Sequence, residues 1–285
     1  MAHHPYLVGL VGTGVGPSLT PALHMAEGKA QGLDYVYKTI DLNEMGVAPE
    51  RIGEVLAWAR TLGFDALNIT HPCKRLVIEH LDDIDDVAAE LGAVNTVVFE
   101  GQRTVGYNTD TTGFALGFHE GLPGAGTDNV VLIGAGGAGA AVGDALLRIG
   151  TDHLTVVDVD AERATALSHE LSARRPEARV DASSMQKLAV LLPASDGVVH
   201  CTPTGMAEHP GVPFDEDLLH PGLWVADIVY RPLDTALLHA ALRAGCRVCD
   251  GGHMAVHQAT EAFALITGIT PDTERMSNHF RSLVG

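Results

Sequence analysis

The sequence predicts an α/β protein with two domains. Apolar, strand-like runs alternate with segments of helical apolar spacing along the chain, which is typical of a mostly parallel sheet covered by helices. The length of 285 residues is about twice that of a typical domain of roughly 150 residues. Hydrophobic residues make up 46 % of the chain and charged residues 19 %, which excludes wholesale disorder.

The first half of the chain contains short apolar runs separated by two segments of helical character. Proline starts both helical segments, and their apolar residues recur at helical spacing. The predicted helices cover Pro21–Gln31 and Pro49–Leu62. The predicted strands are Tyr6–Val11, Tyr35–Asp41, Ala66–Ile69 and Val94–Phe99.

A turn-rich segment, Gly121–Gly126, is a candidate boundary between the two halves. After it the alternation of strands and helices becomes sharper. The predicted strands are Asn129–Ile133, His153–Val157, Val198–His200 and Trp224–Val229. The predicted helices are Ala138–Ile149, which is rich in alanine, and Met254–Thr267. We therefore expect two α/β units.

The composition restricts the partners. The formal net charge is −18, so most of the surface should repel nucleic acids and anionic membranes. No apolar run reaches the roughly 20 residues of a membrane span, and Met1–Pro5 does not start a signal peptide. The four cysteines form no disulfide framework, which favours the reducing cytoplasm. An anionic ligand would need a few local cations or backbone N–H groups.

The strongest motif is a glycine-rich loop between a predicted strand and a predicted helix. Its glycines have the G-x-G-x-x-G spacing of dinucleotide-binding folds, in which the backbone approaches the pyrophosphate and the helix N-terminus supplies N–H groups. The predicted contact residues of this loop are Gly134, Gly136, Gly137, Ala138 and Gly139.

An acidic residue favours NAD as the cofactor. Asp158 ends the next strand, 19 residues after Gly139, where a carboxylate accepts hydrogen bonds from the adenosine ribose. Its charge, together with that of Asp160, should repel the 2′-phosphate of NADP. Arg163 could oppose this trend, or could lie beside the adenine or the pyrophosphate.

A second set of polar residues lies in the N-terminal half. Lys74 is the only lysine between Lys38 and Lys187, and it follows Asn68 and Thr70, which can bind hydroxyl groups. Ser18 and Thr20 lie in a loop rich in glycine and proline and could donate to a carboxylate. Asn95 and Asp110 end two further polar segments.

These segments, taken together, resemble the shikimate dehydrogenases, and more closely their NAD-dependent quinate/shikimate dehydrogenase branch. The resemblance covers about residues 8–281. The segments that carry it are Ser18–His24, Asn68–Lys74, Gly92–Thr96, Asn108–Asp110, Gly134–Gly139, Cys201–Met206, Asp227–Tyr230 and Gln258–Ala259. Each segment alone is weak, but the combination in this order is specific.

The resemblance implies an N-terminal α/β substrate domain and a Rossmann domain with a cleft between them. It places residues 1–108 and 255–285 in the substrate domain and residues 109–254 in the NAD-binding domain. It also implies that Lys74 and Asp110 are the catalytic pair. The implied substrate-binding residues are Ser18, Thr20, Thr70, Asn95, Tyr230 and Gln258, and the implied nicotinamide-side residues are Thr202, Pro203, Ile228, Gly251 and Met254.

Three positions depart from the common shikimate pattern. Thr20 replaces a usual serine, Met25 replaces a frequent asparagine, and Asp158 stands where NADP-dependent members have Asn-Arg-Thr. The first and third departures resemble the quinate/shikimate branch. The predicted reaction is therefore reversible oxidation of a ring alcohol of quinate or shikimate with NAD, by a monomer or a homodimer.

Other functions remain open at this point. An aminoshikimate dehydrogenase would share the same motifs, and a non-catalytic sensor of quinate and dinucleotide could use the same fold. Retention of both Lys74 and Asp110 argues against the sensor. A generic Rossmann binding module would leave the N-terminal motifs unexplained.

We predict no metal site. Cys246 and Cys249 form a CxxC pair, which could bind zinc or act in redox chemistry, but a structural zinc site usually needs a second ligand pair. We favour the interpretation that the two cysteines are small apolar residues near a strand. His253 and His257 could share a helix face, but no HExxH motif is present.

Overall fold

The computed structural model describes residues 5–284, and it divides into two compact units. The first unit contains residues 5–109 and 258–283, and the second contains residues 110–257. The sequence placed the divisions after residues 108 and 254. The turn-rich segment at 121–126, a candidate boundary, lies inside the second unit. Residues 1–4, which belong to the segment that argued against a signal peptide, lie outside the described residues.

The first unit contains a mixed six-stranded sheet in the order β2-β1-β3-β5-β6-β4. Strand β1 is parallel to β2 and β3, whereas β5 pairs antiparallel with β3 and β6. The expected, mostly parallel arrangement therefore holds only for part of this sheet. The strands are β1 (Tyr6–Gly12), β2 (Tyr35–Asp41), β3 (Ala66–Ile69), β4 (Asp83–Ile84), β5 (Thr96–Glu100) and β6 (Arg103–Tyr107).

Helices of this unit bury their apolar sides against the sheet. The helices are α1 (Thr20–Ala30), α2 (Leu42–Met45), α3 (Ile52–Thr61), α4 (Asp86–Leu91), the C-terminal part of α10 (Gly251–Thr267) and α11 (Thr273–Val284). Ile52, Val55 and Leu56 of α3 pack with Leu67 in one apolar cluster. Phe263 of α10 is fully buried with residues of β1 and β2 in another. Burial of this apolar area is the main source of stability.

An ion pair between the buried Glu27 and the partly exposed Arg275 links an early and a late segment of this unit. Glu27 of α1 accepts hydrogen bonds from Nε and Nη2 of Arg275 in α11, at 2.8 and 2.7 Å. The backbone N–H of Asp272 and the side chain of Gln31 also donate to Glu27, at 2.9 Å each. Burial raises the pKa of Glu27, but these hydrogen bonds outweigh it and hold the pKa below its usual value.

The second unit contains a parallel six-stranded sheet in the order β12-β11-β10-β7-β8-β9. This is the strand order of the doubly wound dinucleotide-binding fold, and the order reverses between β7 and β10. The strands are β7 (Asn129–Ile133), β8 (His153–Asp158), β9 (Arg179–Ser184), β10 (Gly197–His200), β11 (Trp224–Asp227) and β12 (Arg247–Cys249).

The helices of this unit are α5 (Asp110–Gly121), α6 (Gly137–Arg148), α7 (Ala161–Arg174), α8 (Leu188–Leu191), α9 (Ala236–Arg243) and the N-terminal part of α10. Side-chain caps begin two of them, since Asp160 accepts N–H groups of α7 and Thr235 accepts one of α9. Among the described residues the longest helix, α10, has 17 residues, and none is long and apolar enough to cross a bilayer.

Candidate active site

The carboxyl ends of β1 and β3 lie side by side because these two strands are parallel neighbours. The backbone N–H of Thr70, just after β3, donates to the carbonyl of Val11 at 2.9 Å. The N–H of Thr13, just after β1, donates to the carbonyl of His71 at 3.1 Å. A Cβ atom at Gly12 would lie 2.4 Å from Cγ2 of Thr70, so the two loops are closely packed. The predicted residues after β1 and β3 therefore share one edge of the sheet.

Lys74 belongs to the loop that follows β3, and its backbone is fixed to the segment before β5. The carbonyl of Lys74 accepts the N–H of Val94 at 2.8 Å. The carbonyl of the next residue, Asn95, accepts the N–H of Ile69 at 2.7 Å. The structure thereby brings the backbone of Lys74 beside the segment that carries Asn95.

Asn95 is almost fully buried, and its side chain fixes the chain that leads to Asp110. Its Oδ1 accepts the backbone N–H of Thr109 at 2.9 Å, and its Nδ2 donates to the Thr109 hydroxyl at 3.0 Å. Asp110 is the next residue and the first of α5. Two hydrogen bonds from one asparagine thus hold the residue immediately before Asp110.

The same network continues away from Asn95 through the buried side chains of Thr96, Asn68 and Tyr37, of which the sequence had singled out only Asn68. The Thr96 hydroxyl donates to Oδ1 of Asn95 at 3.1 Å and accepts Nδ2 of Asn68 at 2.9 Å. Oδ1 of Asn68 accepts the Tyr37 hydroxyl at 2.5 Å. Because every bond in this chain is buried, its members keep Asn95 in one orientation.

Asp110 is buried, whereas the other predicted substrate-side residues are partly exposed, and they belong to different elements. Ser18 precedes α1, and its hydroxyl accepts the backbone N–H of Thr20 at 3.3 Å. Gln258 lies in α10 and belongs to the first unit. Asp110 and Tyr230 belong to the second unit. Burial raises the pKa of Tyr230 above its usual value, so its hydroxyl is protonated at neutral pH.

The glycine-rich loop follows β7 and has the form that the sequence predicted. Gly134 has a φ of +109°, and a Cβ atom there would lie 2.8 Å from the carbonyl of Cys201. A Cβ atom at Gly139 would lie 1.9 Å from the carbonyl oxygen of Gly134. At Gly136 and Gly137, by contrast, a Cβ atom would meet no protein atom within 4 Å. The loop is closed toward the sheet and open on the side where α6 begins.

Asp158 ends β8 and binds this loop directly. Its Oδ2 accepts the backbone N–H of Ala135 at 2.7 Å, and its Oδ1 accepts the N–H of Asp160 at 2.9 Å. The carboxylate is therefore held beside the glycine-rich loop. An adenosine bound along this edge would meet a fixed negative charge.

The residues after Asp158 offer little positive charge at this end of the sheet. Val159 is 89 % exposed. Asp160 caps α7, and its other carboxylate oxygen lies 3.3 Å from Nε of Arg163. Arg163 is largely exposed, and its charge is shared with Asp160. The structure does not place Arg163 in contact with the loop.

The predicted nicotinamide-side residues occupy the carboxyl ends of β10 and β11 and the start of α10. Thr202 and Pro203 follow β10, and Cγ2 of Thr202 would lie 3.0 Å from a Cβ atom at Gly134. Gly251 packs on the backbone after β11, since a Cβ atom there would lie 2.4 Å from the carbonyl oxygen of Ile228. Ile228, Gly251 and Met254 also line one small cavity. All five residues belong to the second unit, with Ile228, Gly251 and Met254 around one cavity and Thr202 and Pro203 after the neighbouring strand β10.

Sequence reasoning missed a buried histidine at this edge. His200 is the last residue of β10 and is paired in register with Asp227, the last residue of β11. Nδ1 of His200 lies 2.9 Å from Oδ1 of Asp227, and its Nε2 lies 2.5 Å from the Thr202 hydroxyl. The sequence does contain a signal for this pair, because two otherwise apolar strands each end in an ionisable residue.

The members of both candidate metal pairs contact other protein groups. The Cys246 thiol donates to the carbonyl of His220 and the Cys249 thiol to that of Gly117, at 3.2 and 3.7 Å. Both histidines face one oxygen of Glu120, with Nε2 of His257 at 2.6 Å and Nδ1 of His253 at 3.8 Å. Within residues 5–284, no group of three or more His, Cys, Asp or Glu side chains is arranged to hold a metal ion.

Two family profiles match this chain, one in each unit. The profile of the shikimate dehydrogenase substrate-binding domain matches residues 10–97. The profile of the saccharopine dehydrogenase NADP-binding domain matches residues 130–208. The second match contains the glycine-rich loop and Asp158. The assignment of a Rossmann-type dinucleotide-binding fold is therefore confirmed by both topology and profile.

Proteins of the same length are similar over nearly the whole chain. A shikimate dehydrogenase (NADP(+)) of Pseudarthrobacter chlorophenolicus is 57 % identical, over 98 % of this chain and 95 % of that protein. A quinate/shikimate dehydrogenase (NAD(+)) of Corynebacterium efficiens is 47 % identical, over 99 % and 100 %. The structure of quinate dehydrogenase from Corynebacterium glutamicum in complex with NAD superposes with a TM-score of 0.92 at 44 % identity, over 98 % and 99 %. Similarity of this degree over both units shows that the chain belongs to the shikimate dehydrogenase family of oxidoreductases.

Proposed function

We propose that this protein reversibly oxidises the ring secondary alcohol of quinate or shikimate to the 3-dehydro ketone, with NAD as the hydride acceptor. The ligands are then small molecules, and neither nucleic acid nor a membrane is a partner. We also predict that the protein is a monomer or homodimer and that it is cytoplasmic. The observation that carries the choice of NAD is the Asp158 carboxylate, held 2.7 Å from the backbone nitrogen of Ala135.

We assign the first unit to the substrate. Its polar edge combines hydroxyl groups, an amide and one lysine, which match a ring that carries several hydroxyls and a carboxylate. Ser18 and Thr20 would bind the carboxylate, and Tyr230 stays a substrate-binding residue that the resemblance implies. Thr70, Asn95, Asp110 and Gln258 would bind the ring hydroxyls.

We assign the second unit to the dinucleotide. The open face of the loop at Gly136 and Gly137 leaves room for a pyrophosphate, and the first turn of α6 presents N–H groups to it. This arrangement binds phosphates without a basic patch, which suits a chain of net charge −18. The loop residues Gly134, Ala138 and Gly139 complete the cradle, and Thr202, Pro203, Ile228, Gly251 and Met254 would line the nicotinamide side.

The charge at the adenosine end favours NAD over NADP. The carboxylate of Asp158 can accept hydrogen bonds from ribose hydroxyls, but it would repel a 2′-phosphate. Two backbone N–H groups hold it, so it cannot turn away at low cost. Arg163 shares its charge with Asp160 and is therefore a poor counter-ion for a phosphate.

The chain's chemical task is to hold the alcohol and to move its hydroxyl proton. When bound, the dinucleotide supplies the hydride acceptor at C4 of its nicotinamide ring. We assign the hydroxyl proton to Nζ of Lys74, which must be deprotonated before it can act as a base. In the reverse direction the ammonium form of Lys74 would polarise the ketone and return the proton. Asp110 would orient the reacting hydroxyl through its carboxylate.

An NADP-dependent shikimate dehydrogenase is the second candidate, because the Pseudarthrobacter relative, at 57 % identity, carries that name. A relative from Streptomyces avermitilis with the same name is 56 % identical over the full chain. The two candidates share the fold and the substrate-side residues. They differ in the charge that they require beside the adenosine ribose.

Initial rates separate these candidates. The protein is assayed with quinate, shikimate and an amino analogue of shikimate, each with NAD and with NADP. The proposal expects a higher kcat/KM with NAD than with NADP, for quinate or shikimate. A clear preference for NADP would support the second candidate, and turnover of only the amino analogue would identify an aminoshikimate dehydrogenase. Absence of turnover in every combination would favour a sensor.

A further inference from the structure

We propose that the buried His200–Asp227 pair positions Thr202, so that the Thr202 hydroxyl oxygen accepts a hydrogen bond from the nicotinamide half of the dinucleotide. This inference rests on the proposed function, because it assumes that the second unit binds a nicotinamide dinucleotide. His200 and Asp227 are positioning residues in this proposal, since they act through Thr202.

The pair is buried and its hydrogen bonds are well defined. The side chains of His200 and Asp227 have no solvent exposure. Oδ1 of Asp227 accepts Nδ1 of His200 at 2.9 Å and the backbone N–H of Val229 at 3.1 Å. Oδ2 accepts the Thr235 hydroxyl at 2.7 Å. Two unpartnered ionisable groups would be costly at this depth, but here each polar atom has a partner.

These contacts favour one direction for the hydrogen bond to Thr202. Two donors other than His200, the backbone N–H of Val229 and the Thr235 hydroxyl, already face the carboxyl group of Asp227. We therefore assign the proton between Asp227 and His200 to Nδ1 of His200. In a neutral imidazole the other nitrogen, Nε2, is then an acceptor. In that state the Thr202 hydroxyl, 2.5 Å away, donates its only proton to Nε2.

A hydroxyl that has donated its proton can only accept from a ligand. One lone pair of the Thr202 oxygen faces the backbone N–H of Thr204 at 3.3 Å. The second lone pair remains for a donor on a ligand. The pair thus sets a fixed polarity at Thr202, which a freely rotating hydroxyl would lack.

Thr202 lies where the dinucleotide is expected to cross the sheet. Its Cγ2 is next to Gly134 at the start of the glycine-rich loop. The strand order reverses between β7, which precedes that loop, and β10, which ends at His200. With the adenosine ribose at Asp158, on the β8 side, the other half of the dinucleotide extends over β10 and β11. The nicotinamide half offers two kinds of donor, the carboxamide N–H and the ribose hydroxyls.

The first experiment compares two ligands in the native protein and in variants. NADH contains the nicotinamide half, whereas ADP lacks it. Thr202→Val keeps the shape but deletes the hydroxyl, and His200→Phe keeps a ring but deletes both nitrogens. We expect each variant to weaken NADH binding about threefold to tenfold, as for one lost hydrogen bond, and to leave ADP binding unchanged. Thr202→Ser should restore native NADH affinity.

A matched control uses the other His–Asp pair of this unit. Nε2 of His153 lies 3.0 Å from Oδ2 of Asp181, at the amino end of β8. His153→Phe also removes a His–Asp contact, a partly exposed one, at the end of β8 opposite to Asp158. We expect it to lower thermal stability without changing the ratio of NADH to ADP affinity. If His200→Phe does not fold, the comparison of Thr202→Val with Thr202→Ser still tests whether the Thr202 hydroxyl binds the nicotinamide half.

Two further measurements test the polarity and identify the donor. The ¹⁵N chemical shifts of His200 should show a protonated Nδ1 and an unprotonated Nε2 in the NADH complex. The 3-acetylpyridine analogue of NADH lacks the carboxamide N–H. Should Thr202→Val leave binding of this analogue unchanged, the carboxamide is the donor. An equal loss with the analogue assigns the donor to a ribose hydroxyl.

Several results would overturn the inference while the proposed function stands. These are native NADH affinity and KM in Thr202→Val, equal losses for NADH and ADP, or a protonated Nε2 in the complex. Failure of the native protein to bind NADH, or to oxidise quinate or shikimate, would instead remove the proposed function on which the inference rests.

Discussion

Oδ2 of Asp158 lies 2.7 Å from the backbone nitrogen of Ala135 and accepts its hydrogen bond. This contact joins the end of β8 to the glycine-rich loop after β7. The carboxylate is therefore part of the loop's own structure. We expect a charge held in this way to select among dinucleotides by the groups on their ribose.

The first prediction concerns Asp158→Asn. Asparagine keeps an oxygen for Ala135 but removes the negative charge, so the repulsion of a 2′-phosphate should fall. We expect the ratio of kcat/KM for NAD to that for NADP to decrease about 10- to 100-fold. Asp152→Asn, an exposed residue before the amino end of β8, removes the same charge and should leave the ratio unchanged. A native ratio in Asp158→Asn would contradict the assignment.

The second prediction concerns Lys74. Lys74→Ala should lower kcat about 10²- to 10⁴-fold, because the hydroxyl proton loses its acceptor, while NADH affinity stays native. Lys74→Arg keeps a positive charge but supplies a group that does not deprotonate, so it should not restore kcat. Lys38→Ala, an exposed lysine on β2, serves as the control. A near-native kcat in Lys74→Arg would show that a positive charge at this position is enough for catalysis and that Lys74 is not the base.

The third prediction separates two glycines of one loop. In Gly139→Ala the new methyl would lie 1.9 Å from the carbonyl oxygen of Gly134, so the loop must shift and stability should fall. In Gly136→Ala the methyl meets no protein atom within 4 Å, and the backbone φ of −85° suits alanine. We expect native thermal stability but a dinucleotide KM about tenfold higher, because the methyl occupies pyrophosphate space. A native KM would place the pyrophosphate elsewhere.

The fourth prediction concerns pH and the Glu27–Arg275 pair. The pKa of Glu27 lies below its usual value of 4.5, so its ionised form stabilises the fold above that value. This contribution is lost as the pH falls through the lowered pKa. Glu27→Gln should therefore lower the melting temperature by several degrees at pH 7, and by less at pH 3.5.

An exposed ion pair provides the comparison for this effect. Glu54 lies 2.6 Å from Nη2 of Arg51, and both side chains are about half exposed. Because water screens such pairs, Glu54→Gln should change the melting temperature little at either pH. A melting temperature of Glu27→Gln equal to that of the native protein at pH 7 would show that the Glu27–Arg275 pair contributes nothing to stability.

Strands with strong apolar character could be predicted from the sequence, and weak edge strands could not. Buried strands such as β3 and β7 occupy the predicted residues because most of their side chains are apolar. Strand β9, Arg179–Ser184, was missed because it is an edge strand with mostly polar, partly exposed residues. The antiparallel β5–β6 hairpin was also missed, although Gly101, with a φ of +65°, lies in its two-residue turn.

The candidate site shows the same division between local and long-range signals. The glycine-rich loop and Asp158 could be identified because they belong to one local strand–loop–helix–strand unit. The network from Tyr37 through Asn68 to Asn95 could not, since its members come from different strands and meet only through sheet pairing. The same applies to His200 and Asp227, which are 27 residues apart.

The pairing of Glu27 with Arg275 has a consequence for how the chain is made. These residues are 248 positions apart, and the whole second unit is encoded between them. On the ribosome, residues 110–257 emerge as one continuous stretch, whereas α1 must wait until α11 has been synthesised. The first unit can therefore be completed only after the second has emerged, and until then Glu27 remains without its guanidinium partner.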